Sequence, residues 1–138
     1  MTDRITESSE STPAADFLPE QRRLTGLGML ACLFYVIHGS YHWSTGHPEH
    51  LLWVCHLASL MIGVGLIAHV AVLNAIGVLT LVIGTPLWVL SLLGGEPFLP
   101  TSLLTHVGGL IVGLIGLRTL GLPQSTWWQG TLLIAVIV

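Results

Sequence analysis

Four apolar runs, each long enough to cross a bilayer, follow one another along this chain: Leu24 to Trp43, Leu51 to Leu73, Ala75 to Leu93 and Leu99 to Leu120. Crossing roughly 30 Å of hydrocarbon takes about 20 helical residues, and a helix satisfies its backbone N–H and C=O groups internally. The pattern therefore predicts four full transmembrane helices. A fifth run begins near Ser125 and stops at Val138. From Trp127 onward it would reach only about 16 to 18 Å, little more than half a bilayer, so a longer parent protein is expected. The fold class that follows is all-α: an integral membrane helical bundle of four full spans and a truncated or partial fifth, over residues 24–138.

Small residues recur on the predicted helices at packing intervals. Gly109 and Gly113 make a GxxxG step, with Gly116 one turn on, and Ser59 and Gly63 make a second small-xxx-small step. Inside a bilayer, water does not drive helices together, so close backbone contact must do much of that work. A hairpin turn is expected at Asn74. Pro86 should interrupt the third helix, with the Thr85 hydroxyl available to a freed carbonyl.

Residues 1–23 are polar, acidic and rich in Ser and Thr, with Pro13 and Pro19. They read as a disordered tail. They do not read as a cleavable leader, since the apolar run behind them is too long for one. Arg22 and Arg23 stand directly before the first span, which places the N-terminus in the cytoplasm. Arg118 then falls on the same side, and Glu49 and Glu96 on the outer one. Tyr41, Trp43, Trp53 and Trp88 lie toward the outer boundary and Trp127 and Trp128 toward the inner, as amphipathic rings prefer. The expected location is a cell inner membrane.

Composition agrees with that reading and narrows the chemistry. Of 138 residues, 52% are hydrophobic and only 8% charged, and the mean hydropathy is +0.81. The chain has no lysine and a net charge of −3, so nucleic-acid binding has no electrostatic basis. Cys32 and Cys55 should differ in depth by about 10 Å, too far for a disulfide. No serine nucleophile, carboxylate dyad, phosphate loop or dinucleotide fingerprint is present, and nothing else points to an enzyme.

The histidines are the chemically suggestive feature. Six of the seven fall on the outer side of this topology, and only His69 lies at the inner boundary. His38, His56 and His106 should sit at one depth, roughly 7 to 10 Å below the outer surface, on three different helices. His42 shares a helical face with His38 one turn above it. His47 and His50 flank Glu49 in the outer loop. This set suits a metal site built from His38, His42, His56 and His106, with zinc or copper as the ion and Cys55 an adjacent softer ligand. Haem held between His56 and His106, or between His38 and His106, is the weaker chemical alternative, because no outer cation is available for its propionates. Imidazole also sits comfortably at a membrane boundary without any ligand. The chain contains no HExxH or CxxC.

The stretches Leu52-Trp53-Val54-Cys55-His56 and Leu103-Leu104-Thr105-His106, followed by Gly121-Leu122-Pro123, resemble a group of uncharacterised bacterial multi-pass membrane proteins. The resemblance covers most of the apolar region and implies a chain that continues further. It implies no activity and carries no site residue across.

Three functions compete on these grounds. The first is a metal-binding, or less favourably haem-binding, inner-membrane protein. The second is a structural or assembly subunit partnered by other membrane proteins as well as by lipid. The third is a small transporter, which lacks the inverted repeat common in such proteins.

Overall fold

A computed structural model describes residues 14–124, 126 and 128–131, and every regular element among them is helical. We number the helices α1 (Ala14–Ser44), α2 (Val54–Ile67), α3 (Ala71–Leu93) and α4 (Pro100–Leu120). Three of them are long and apolar enough to cross a membrane: α1 over Leu18–Ser44, α3 and α4. Of the expected fifth helix only residues 126 and 128–131 are described, and these are helical; the rest of it and residues 1–13 of the expected tail lie outside the described residues. The remainder of that tail is helical, since α1 begins at Ala14 rather than Leu24.

Four full spans are not shown among the described residues. The segment expected to span from Leu51 to Leu73 is divided into a 3-10 turn over Pro48–Leu52 and an α2 of 14 residues. At the helical rise α2 covers about 21 Å, short of a full hydrocarbon core. It ends because His69 takes a left-handed conformation, φ 56°. The N–H of Val70 then bonds the Gly65 carbonyl at 2.8 Å and that of His69 bonds Leu66 at 3.4 Å, the paired contacts of a Schellman stop. The hairpin turn is therefore at Ala68 to Val70, not at Asn74. Asn74 lies inside α3, fully buried, with its side-chain amide donating to the Gly113 carbonyl at 3.2 Å.

The same stop closes α1 at Gly46 (φ 83°) and α3 at Gly95 (φ 100°). Glycine adopts this conformation freely, whereas histidine does so at some cost. Proline opens the next elements: Pro48 begins the 3-10 turn and Pro100 begins α4, each where a missing N–H does no harm.

Helix α2 packs against both α1 and α3, and α4 closes the bundle against all three. The small residues make this closeness possible. A Cβ on Gly63 would lie 2.9 Å from the backbone N of Cys32 in α1, and one on Gly77 would lie 2.7 Å from the Ala58 carbonyl in α2. Gly109 and Gly113 of α4 meet Ser59, Leu81, Val78 and Ile62 in the same way. Ala31, Ala58, Ile62, Leu66, Leu81 and Val112 fill the centre. The outward faces of the long helices remain apolar, with Met29, Leu33 and Val36 on α1 and Ile83, Leu87 and Leu90 on α3 each at least half exposed. Such a surface suits lipid. Pro86 lies within α3, but the buried Thr85 hydroxyl has no hydrogen-bond partner and does not take up a freed carbonyl as expected.

Candidate metal centre

The Schellman stop after α1 turns the chain back on itself while His42 is still in the helix. The His47 N–H bonds the His42 carbonyl at 2.9 Å, and the turn begun by Pro48 brings His50 beside His42. Trp53 is extended, φ −61° and ψ 138°, and starts α2 so that His56 falls one turn in. The end of α1, the start of α2 and the start of α4 thus meet at one end of the bundle. Arg22, Arg23 and Arg118 belong to the other.

At that meeting point three Nε2 atoms converge. His38 Nε2 lies 2.9 Å from His56 Nε2 and 3.2 Å from His42 Nε2. The ligand atoms of all three residues lie within 4.8 Å of one another. Their residues are 2%, 6% and 3% exposed, so bulk water does not satisfy these nitrogens. With Zn–N bonds of about 2.0 to 2.1 Å, two tetrahedral ligand nitrogens stand roughly 3.3 Å apart. The observed separations need only a small outward movement to meet that.

The opposite nitrogens are held by other groups. A carbonyl can only accept, so the 2.6 Å contact between His56 Nδ1 and the His50 carbonyl puts the proton on Nδ1 and leaves the His56 Nε2 lone pair facing the cluster. His38 Nδ1 meets the Thr101 hydroxyl at 2.8 Å, and His42 Nδ1 meets His50 Nδ1 at 3.2 Å. Supports of this kind orient imidazoles around metals and fix their tautomers.

His106 belongs to the neighbourhood but not to the convergent trio. Its ring stacks on Trp88, with centroids 4.8 Å apart, and lies 6.1 Å from the His56 ring. It sits in a π-helical stretch, Leu104–Gly108, where its Nδ1–H and the Thr105 hydroxyl both donate to the Ser102 carbonyl, at 2.9 and 3.0 Å. The His106 Nε2 lone pair is consequently free of that contact. Cys55 does not join: its sulfur faces Gly84 of α3. Thr101 and Ser102 are neighbours of the cluster that the sequence does not single out, and Trp88, expected only as a boundary anchor, stacks on His106. No spacing rule singles out a lone Thr at a helix start.

Within the trio, His38 lies edge to face against His42 and His56 with centroids 4.6 and 4.3 Å apart, which leaves no slot for a porphyrin between those three rings. Beside the centre, His47 Nδ1 contacts Glu49 Oε1 at 3.1 Å in the exposed turn. A backbone N–H bond and the His47 contact hold the Glu49 carboxyl below the usual carboxylate range.

Comparisons with family models, with curated proteins and with solved structures find no match for this chain. The fold and the site carry the functional reading on their own. The chain has apolar helices long enough to cross a membrane and a buried histidine cluster with the geometry to hold a metal ion.

Proposed function

We propose that this is a multi-pass protein of a cell inner membrane that binds one zinc or copper ion through His38, His42 and His56, close to its outer face. The observation that carries the reading is the convergence of three buried Nε2 atoms, none of them committed to backbone. Three imidazoles leave a fourth ligand position open to water, to a donor on a passing molecule or to His106 after a small rotation. Metal handling or electron transfer fits such a centre. The orientation, N-terminus in the cytoplasm, is supported by Arg22, Arg23 and Arg118 at the end remote from the cluster. The lipid bilayer is the surrounding partner, and the exposed apolar faces of α1 and α3 leave room for other membrane subunits.

Transport is less well supported. A path from the cluster to the other end would have to cross Ala31, Ile62, Leu66, Leu81 and Val112, where the neighbouring Ser59 and Asn74 each donate to backbone. The test is to purify the protein in mild detergent and measure metal content together with an absorption spectrum. Stoichiometric zinc or copper that disappears in His56→Ala supports the reading. A folded, colourless and metal-free protein overturns it and leaves the assembly subunit.

A further inference from the structure

Outside the buried trio, a second set of ligand atoms converges on the solvent-facing turn. The ring nitrogens of His47 and His50 and a carboxylate oxygen of Glu49 all lie within 4.8 Å of one another. Glu49 Oε1 is 3.1 Å from His47 Nδ1 and 4.0 Å from His50 Nε2. The His47 and His50 rings are stacked, 5.3 Å between centroids and 13° between planes, so both present an edge to the same carboxylate. Two imidazoles and an anionic oxygen form a donor set that zinc and copper both accept.

What separates this group from an ordinary exposed turn is where His50 leads. Its Nε2 belongs to the outer group, while its Nδ1 lies 3.2 Å from His42 Nδ1. His42 in turn directs Nε2 at the buried cluster. The His50 carbonyl also receives the Nδ1–H of His56. One residue of the outer group therefore touches two of the three inner ligands, each at Nδ1, the ring nitrogen turned away from the cluster.

We infer that His47, Glu49 and His50 form a solvent-facing loading site that captures a divalent zinc or copper ion and hands it to the buried centre through the His50–His42 contact. This rests on the buried trio being a metal site. The transfer exchanges ligands and relocates protons. While the ion is outside, His50 Nδ1–H donates to His42 Nδ1 and His42 Nε2 is protonated. As the ion moves in, the shared proton passes to His42 Nδ1, His42 Nε2 gives its proton up and His50 Nε2 takes one, with no electron moved.

The experiment uses the full chain in detergent, titrated with Zn²⁺ for stoichiometry and with Co²⁺ for its ligand-field absorption, followed over time. Wild type is expected to bind two equivalents of unequal affinity, the weaker held by His47 and Glu49 once the filled inner centre has put the His50 proton on Nε2. The double variant His47→Ala/Glu49→Gln should lose the weaker one, keep the tighter and fill it several-fold more slowly. Both changes lie on exposed positions, so the fold is not at stake. Unchanged stoichiometry and filling rate in the double variant would overturn the loading site while leaving the buried centre intact. A single weak equivalent in wild type that the double variant lacks would sink the buried centre and the hand-over, keeping only a surface cation site. No equivalent at all in wild type would remove both.

Discussion

His38 Nε2 and His56 Nε2 face each other at 2.9 Å across the contact between α1 and α2. His56 already spends its proton on the His50 carbonyl, so one neutral arrangement puts a proton on His38 Nε2 and lets it serve His56, with His42 Nε2 close by. Three inward nitrogens then share one hydrogen. A cation in place of that hydrogen would engage all three lone pairs, which is the physical reason for preferring a metal to a purely structural network.

Ligand replacement should accordingly be graded. His38→Ala, His42→Ala and His56→Ala are each expected to reduce zinc or copper below stoichiometric content. His106→Ala should retain it, weakened by no more than about the 10- to 100-fold of a supporting residue. Metal per protein, measured after identical purification, decides the matter. Equal loss in all four variants would bring His106 into the ligand set, and no loss in any would dissolve the site.

Acid should strip the ion. An imidazole binds metal only when neutral, so each ligand forces a choice between a proton and the ion. Affinity is then highest where all the ligands are neutral and falls as acid protonates them. With three such ligands the fall should be steeper than a single-proton titration. Competition against a chelator from about pH 8 downward would read the slope. An affinity that stays flat down to the pH at which the protein itself unfolds would be incompatible with imidazole ligation.

Much of this arrangement is legible in the chain, and the parts that are not share a cause. The i, i+4 alignment of His38 with His42 follows from helical geometry, and counting residues puts His56 and His106 at the same end. Rotation about the helix axis is invisible to such counting. His56 turns toward His38, whereas His106, in its π-helical stretch, stacks on Trp88 instead. The end of α2 was hidden for another reason. Gly46 and Gly95 announce their stops, but His69 makes the same left-handed turn without a glycine, so the apolar run appeared to continue to Leu73. Asn74 looked like turn chemistry and is a buried hydrogen-bond donor to α4.

Helix spacing should control the centre from a distance. A Cβ on Gly63 would meet backbone, 2.9 Å from both the Cys32 nitrogen and the Gly28 oxygen. Gly63→Ala must therefore push α1 away from α2, the two helices that carry His38 and His56. Overpacking of this kind costs about 1 to 3 kcal/mol. We expect a lower unfolding temperature in detergent and weaker metal binding together. Gly26→Ala is the control, since nothing lies within 4 Å of its added carbon. If Gly63→Ala proves as benign as Gly26→Ala, the close α1–α2 contact is not a feature of the folded protein.

Thr101 offers the most discriminating variant, because its hydroxyl both donates and accepts. Without metal, it can donate to His38 Nδ1, 2.8 Å away, while His38 Nε2–H serves His56. With metal on Nε2, His38 must carry its proton on Nδ1, and the same hydroxyl accepts it. One side chain thus supports both states without leaving a buried nitrogen unpaired. Thr101→Val keeps the shape and removes the hydrogen bond, so metal affinity should drop about 10- to 100-fold with little change in helix content. Thr101→Ser should restore most of it. A purely packing role would give the reverse, with valine tolerated and serine the poorer substitute. Paired affinity measurements on the two variants separate these cases, because only the hydrogen-bonding role follows the hydroxyl.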